Sequence, residues 1–355
     1  MKVYLYTILL IVLYNSKAVA QVEEKNWELN GYVKGLQVTS FTDLDSITTN
    51  SLLHSRLNFR WYPSNNWKGA IEVRNRLFVG DQFTANPLLT DIDDDGIIDL
   101  SANIIEKKDA LLNVKIDRLW LQWQSTSWQV TLGRQRVNWG VDRIWNPNDI
   151  FNAYSFIDFD YEERPGSDAL RIQYFKDMDY TLDMTVKITD DPDELIAAVL
   201  YKFNKWNYDI QLLGGVYKRD IVVGTGWAGN IKNAGLKTEL SYFRNYQNFA
   251  GDPGTFISSV SVDYAFPNSL YLYGAYFYNS SGANKNGIEN LVSINLDVKN
   301  LSPFAHNLFA QLSYEFSAIS SLTMNILYSP TDNAVFINPT LNILMGEQFD
   351  LSIIS

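Results

Sequence analysis

Runs of about ten residues in which apolar and polar side chains alternate recur along this chain, each closed by a turn signal. Leu53, Ser55, Leu57, Phe59 and Trp61 share one face of such a run, with His54, Arg56, Asn58 and Arg60 on the other. Trp67, Gly69, Ile71 and Val73 likewise oppose Lys68, Glu72, Arg74 and Arg76, and Tyr180, Leu182, Met184, Val186 and Ile188 oppose Thr181, Asp183, Thr185 and Lys187. Successive side chains of a strand point to opposite faces, so each run predicts a strand with one apolar and one polar face. No stretch of comparable length keeps a helical apolar stripe. The fold class is therefore all-β.

Strand length separates the all-β alternatives. Strands of soluble sheets usually run to roughly five or six residues, whereas roughly 9–11 tilted residues cross a bilayer. Aromatic residues gather at the ends of the runs, at Trp61-Tyr62, Trp67, Phe78, Trp128, Trp206, Tyr264 to Phe266 and Tyr276 to Tyr278. Girdles of this kind flank the apolar band of outer-membrane barrels. Short connections near 63–66, 125–127, 177–179, 204–205, 229–233 and 267–268 contrast with long ones over 80–111, 137–167, 245–254 and 280–305. A transmembrane antiparallel β-barrel of about 16–18 strands accounts for all three features; a soluble sandwich is the alternative.

Candidate strands lie near 27–38, 51–62, 66–78, 112–124, 127–136, 168–176, 179–188, 194–204, 206–217, 220–230, 234–245, 254–266, 269–280, 306–317, 319–330, 334–344 and 347–355. Seventeen is odd, and bacterial single-chain barrels take even numbers. Either the sequence lacks the last strand of an eighteen-strand barrel, or one segment is over-read and the barrel has sixteen.

Residues 1–20 read as a secretory signal: Lys2, an apolar run from Val3 to Tyr14, and Ala18-Val19-Ala20 before Gln21. Its loss removes Lys2 and Lys17, leaving 27 basic against 40 acidic residues, a charge of −13. Residues 21–355 then form a single barrel domain. A negative balance argues against a nucleic-acid partner, and the absence of cysteine excludes disulfides and thiolate sites.

The middle of the chain breaks the alternation. It carries Leu132-Gly133-Arg134-Gln135-Arg136-Val137-Asn138-Trp139-Gly140, then Ile144-Trp145-Asn146-Pro147-Asn148-Asp149-Ile150-Phe151-Asn152, then Glu163-Arg164-Pro165-Gly166-Ser167-Asp168-Ala169. This stretch resembles porin-like outer-membrane proteins of Bacteroidota, related in layout to the alginate-export and DUF1302-type barrels. The resemblance implies a passive channel. Read physically, a long connection rich in Trp, Phe and Ile must bury itself, and the lumen is available. Loop 137–167 is expected to fold inward and narrow the channel, with Asp142, Asp149, Asp158, Asp160, Glu162 and Glu163 supplying acids. A packed extracellular cap is the alternative.

Arg56, Arg60, Arg74, Arg76 and Arg171 fall on polar strand faces. Lipid-facing Arg costs about 2–4 kcal/mol at the bilayer midplane, so these faces should line the lumen. An arginine wall opposite the acidic loop would orient polar or anionic solutes; alternatively the arginines only pin the loop. Arg134 and Arg136 share the parity of apolar Trp128, Val130 and Leu132, which leaves their direction open.

Residues 91–99 form a candidate calcium loop, with Asp91, Asp93, Asp95 and Asp99 at ligand spacing and Gly96 at the turn. Position 12 is Ala102 rather than the bidentate Glu, so an EF-hand is not expected, and a solvated acidic loop is the alternative. No other cofactor is implied. His54-Ser55 is the one adjacent His/Ser pair, but neighbouring strand residues face opposite ways, so no catalytic group is expected. The favoured reading is a passive outer-membrane diffusion channel for small hydrophilic or anionic solutes, a monomer or homotrimer among lipid and lipopolysaccharide. The other is a structural or adhesin-type barrel with a plugged lumen that binds a partner through its long loops.

Overall fold

The computed structural model describes residues 25–41, 47–80, 94, 96–153, 166–177, 180–282, 297–331, 333–346 and 349–354. The signal segment expected at 1–20 lies outside them. Eighteen antiparallel strands form one sheet. They are β1 (Trp27–Phe41), β2 (Ile47–Ser64), β3 (Trp67–Gly80), β4 (Ser101–Lys107), β5 (Ala110–Gln124), β6 (Trp128–Gln135), β7 (Ser167–Lys176), β8 (Tyr180–Lys187) and β9 (Ile196–Lys205). The second half holds β10 (Tyr208–Tyr217), β11 (Asp220–Ile231), β12 (Ala234–Asn245), β13 (Thr255–Ala265), β14 (Leu270–Asn279), β15 (His306–Ser317), β16 (Ser320–Ser329), β17 (Ala334–Leu344) and β18 (Asp350–Ile354).

Each strand pairs with the next in sequence except around β4. β3 pairs directly with β5. β4 takes the other edge of β5 over Ala110–Lys115, and β6 takes that same edge over Leu119–Gln124. β4 therefore stands end to end with β6. At the margins, β18 pairs with Thr340–Leu344 of β17, and β1 pairs along its whole length with β2.

The seventeen expected strands are all present. The eighteenth, β4, falls inside 80–111, which the sequence reading took as one connection. A register shift between Asn103 and Ile105 breaks the period there, because a bulge puts two residues against one. Residue 206 was expected to open a strand, yet Trp206 and Asn207 have φ of 57° and 61°. Two left-handed residues between paired strands make a type I′ hairpin turn.

The two faces of the wall differ as the alternation requires. Leu57, Ile71, Leu121, Leu132, Leu212, Val223, Val260 and Ile337 remain exposed on the outside. Such a belt suits acyl chains and would be an aggregation hazard in water. Aromatic residues crowd the rim where the strands are joined by short turns: the rings of Trp128 and Tyr174 lie 4.7 Å apart and those of Trp27 and Phe59 6.3 Å. No helix among the described residues is long and apolar enough to cross a membrane; this wall crosses with strands.

Inside, one side of the lumen holds a hydrophobic core. Leu200, Leu213, Val222, Phe243, Ile257, Phe277 and Phe309 point inward from β9 to β15 and pack against Val137, Trp139, Trp145, Ile150 and Phe151 of the connection after β6. The loop and that half of the wall bury each other.

Candidate functional site

β2 and β3 turn their apolar residues to the outside, which leaves Arg56, Arg60, Arg74 and Arg76 facing the lumen. Arg56 Nη2 donates to Glu72 Oε2 at 2.7 Å and Nη1 to Asp117 Oδ2 at 2.5 Å. Arg74 Nη2 lies 3.2 Å from the other oxygen of Asp117, and Arg60 pairs with the other oxygen of Glu72. Arg171 of β7 donates from Nη2 to Asp183 Oδ2 of β8 at 2.5 Å. The guanidinium of Arg76 sits 5.4 Å from the centroid of the Phe78 ring. Arg56, Arg60, Arg74 and Arg171 thus draw carboxylates from neighbouring strands.

Periodicity alone missed the β5 members of this wall. The register jumps between Glu72 and Val73, from Arg118 to Ile116. This bulge turns both Asp117 and Arg118 inward, where both are buried. Lys115 precedes them on the inner face and Trp120 and Gln122 follow. A strict alternation would have sent one of Asp117 and Arg118 to lipid.

Past Gln135 the chain leaves the wall and residues 136–153 enter the lumen. Trp139 is fully buried; its Nε1 donates to Asp183 Oδ2 at 3.1 Å, and its carbonyl accepts from Gln211 Nε2 of β10 at 2.9 Å. The main anchor is Glu239 of β12, wholly buried. One of its oxygens accepts from the backbone N–H of Val141 (2.5 Å) and Asp142 (3.0 Å), the other from that of Asn148 (2.9 Å). These three bonds from otherwise orphaned amides hold the loop to the far wall. Asn148 Nδ2 donates to Thr225 O of β11 at 3.0 Å. Gly224 makes room for it, since a Cβ there would lie 2.6 Å from Asn148 Oδ1. Nothing in the local sequence marks Glu239 out: it is one acid in an ordinary alternating strand.

The loop acids are placed as follows. Asp142 Oδ1 accepts from Ser261 Oγ (2.7 Å) and Tyr273 OH (2.8 Å), on β13 and β14. The structure therefore sets Asp142 against the wall across from the arginines. Asp149 Oδ1 accepts from the Trp139 amide at 3.2 Å. Asp158, Asp160, Glu162 and Glu163 lie outside the described residues.

Arg134 has the direction its parity indicates. It pairs in register with Asp168, as Leu132 does with Leu170, so both ionic residues stand on the outer face of the wall. Arg134 donates from Nε to Asp168 Oδ1 at 2.8 Å and from Nη1 to Asp94 Oδ2 at 2.5 Å. Its Nη2 reaches the carbonyl of Ile98 at 2.8 Å. The segment around Gly96 covers the cluster so closely that a Cβ at Gly96 would overlap the Arg134 guanidinium and the Asp168 carboxylate. Of the candidate calcium ligands, Asp99 accepts from the Ser101 hydroxyl at 2.7 Å and amide at 2.9 Å. Asp91, Asp93 and Asp95 lie outside the described residues.

At the rim with the longer connections, ion pairs fasten the segment that returns to β15. Lys218 reaches Glu194 at 2.9 Å and Asp297 at 3.2 Å, and Lys299 reaches Asp220 at 2.6 Å. Partial burial works against the Lys218 charge, but Glu194 and Asp297 outweigh it and raise its pKa. Val298, between these anchors, joins the lumenal core. In the neighbouring connection Asp252 accepts from the amides of Asn245 (2.7 Å) and Gly254 (3.0 Å), which hold its carboxyl below the usual range.

A polar cavity of about 290 Å³ lies beside the loop against β2–β7, lined by Arg60, Glu72, Arg118, Trp120, Gln122, Gln129, Thr131, Gln135, Arg136 and Arg171. The basic groups exceed the single carboxylate in its lining. The cavity accommodates a small hydrophilic solute and favours negative charge.

No family model and no curated sequence matches the chain. Among solved structures, Acinetobacter baumannii OccAB1 aligns with a TM-score of 0.53 at 14% identity, over 96% of this chain and 94% of that one. Pseudomonas aeruginosa OccK11 (OpdR) gives 0.52 at 11% identity, over 92% and 87%. A triple mutant of Rhodopseudomonas blastica porin gives 0.47 at 12% identity, over 92% and 100%. At these identities the likeness to OccAB1 and OccK11 is one of fold alone.

Proposed function

We propose that this chain is a passive diffusion channel of a bacterial outer membrane, passing small hydrophilic solutes and favouring anions. The observation that carries this reading is the asymmetry of the lumen. One side is filled by the loop anchored on Glu239, and a cavity beside it is bounded by Arg60, Arg118, Arg136 and Arg171. The loop makes the aperture and the arginine wall sets its sign. Rings of charged side chains bias ion passage in this way. An apolar outer belt on a strand wall supports a lipid surrounding for such a channel, and the predicted signal segment supports export to the outer membrane. The stretch 132–152 supports kinship with the porin-like barrels of Bacteroidota. We read the outer contacts as lipid and lipopolysaccharide.

Conductance of the purified barrel in planar bilayers tests the reading. Under a salt gradient the reversal potential should report anion preference, and deletion of 143–163 should raise the conductance. A protein that inserts but conducts nothing would replace this reading with a plugged, partner-binding barrel.

A further inference from the structure

We infer that the lumenal face of β15, β16 and β17 is a recognition track for the hydroxyl groups of a neutral, saccharide-like solute. The inference rests on the channel reading and deepens it: among small hydrophilic solutes it selects those rich in hydroxyls.

The register of these three strands sorts their inward side chains into rungs. Phe309, Leu327 and Phe336 stand side by side in the first and belong to the hydrophobic packing beneath the loop. Gln311, Asn325 and Asn338 form the second, a row of three amides. Ser313, Thr323 and Thr340 form the third, a row of three hydroxyls. Leu312, Leu322, Ile326 and Ile337 point the other way and are exposed on the outer belt, which puts the polar rungs on the lumen side. β15 runs from the rim of the longer connections to a short turn. A solute that has passed the loop therefore meets the amides and then the hydroxyls.

Neither β16 nor β17 contains a charged residue, and β15 carries one, Glu315, at the bulge before its turn. An ionic group moving along the two rungs would give up water without gaining a counter-charge. A solute hydroxyl both donates and accepts, and so do the amides and hydroxyls of the rungs. The rungs are also held together. The hydroxyls of Ser313 and Thr323 lie 2.8 Å apart, Gln311 Nε2 donates to Ser313 Oγ at 3.2 Å, and Thr340 Oγ1 donates to Asn338 Oδ1 at 3.1 Å. Asn325 Nδ2 reaches the same Asn338 oxygen at 3.4 Å.

These bonds leave capacity for a solute. Gln311 and Asn325 are half-buried in the lumen wall, and among the described residues no donor reaches Gln311 Oε1 or Asn325 Oδ1. Neighbouring strands lie about 4.7–4.9 Å apart, so one small solute can touch two members of a rung at once. Side chains that fix one another bind at low ordering cost, and several weak sites in succession let a solute move on.

Single-channel chloride current is recorded while sucrose, and separately a polyethylene glycol of the same hydrodynamic radius, is added on both sides. Sucrose offers donors and acceptors, whereas the polyether chain only accepts. The expected result is a saturating reduction of current by sucrose beyond the fall in bulk conductivity, with the polyether following bulk conductivity alone. Asn325→Leu and Thr323→Val, each close in volume to the residue replaced, should raise the half-effective sucrose concentration roughly 5-fold, the loss of one or two neutral hydrogen bonds. The chloride reversal potential should stay unchanged in both. Thr181→Val, which removes a hydroxyl from the polar face of β8, should alter neither quantity. A sucrose effect that is linear and equal to that of the polyether overturns the track while the chloride current keeps the channel reading intact. Equal shifts from Thr323→Val and Thr181→Val overturn it too, and a barrel that carries no chloride current removes the channel reading and the track together. Saturation-transfer NMR of sucrose with the barrel, in a detergent without sugar headgroups, reads the contact without conduction. Wild type should transfer to the sugar and Asn325→Leu should transfer less; equal transfer overturns the track there as well.

Discussion

Arg56 and Arg74 stand directly opposite one another in the register of β2 and β3, two like charges that share the carboxylate of Asp117, one on each oxygen. Like charges facing each other across a strand pair repel, so the bulge that turns Asp117 inward is what makes this pairing tolerable. Replacing Asp117 with Ala should lower stability by about 3–5 kcal/mol, the usual consequence of stripping one partner from a buried ionic group. Denaturant unfolding in micelles measures it. Loss under 1 kcal/mol, within the range of surface pairs, would show that water already screens these groups.

Glu239→Gln tests the loop anchor. A carboxylate accepts on both oxygens, whereas an amide turns its NH₂ toward a backbone N–H and sets donor against donor. Losing one or two bonds to a charged group removes about 3 kcal/mol from the docked loop. The expected readout is higher and noisier single-channel conductance with the barrel itself folded. Conductance identical to wild type would mean that the aromatic packing around Trp139 and Trp145 seats the loop unaided.

The cluster on the outer wall makes a different prediction. Arg134→Ala leaves Asp168 and Asp94 buried beneath the Gly96 segment without their cation and should cost about 3–5 kcal/mol. Arg134→Met combined with Asp168→Leu should recover the part owed to Asp168, because apolar replacements of a buried pair are often neutral, while Asp94 still lacks its cation. Unfolding curves of the single and double variants decide. Equal destabilisation by both would show that Asp94 alone needs the guanidinium.

Asp252 gives a local pH dependence. Its carboxyl is held below the ordinary value by the amides of Asn245 and Gly254. A depressed folded-state pKa stabilises above the unfolded value, about 3.9 for Asp, and that contribution is lost as pH falls through the folded one. Amide exchange at Asn245 should therefore stay protected at pH 5 and open only below the normal carboxylate range. Opening near pH 5 would contradict the two bonds.

Much of this architecture was legible because a two-residue period survives wherever one strand face meets lipid. Leu57 and Arg56 could be assigned to opposite sides with no structure at all. The period fails at bulges. β4 was hidden by the shift at Asn103 and Ile105, and the inward direction of Arg118 by the one at Asp117. Arg134 was a different case: its parity left the direction open, and an arginine on the outer face makes sense only once Asp94, forty residues earlier in the chain, covers it. Glu239 was invisible for the same reason. Its three partners lie more than ninety residues upstream, and no local pattern announces a long-range contact.

That separation has a consequence for how the molecule is built. The loop leaves β6 well before β12, β13 and β14 are synthesised, so Glu239, Ser261 and Tyr273 do not exist as a seat when the loop emerges. Contacts between distant segments form late, since they wait on chain closure. A wall that ends at β11 would still hold Trp139 through Asp183 and Gln211, but it would lack Glu239 and leave Trp145 without Phe277 and Phe309. The aperture therefore needs the wall from β12 to β15 as much as the loop itself, and a factor that holds the exported, unfolded chain must shelter the Trp145 indole until that wall is in place.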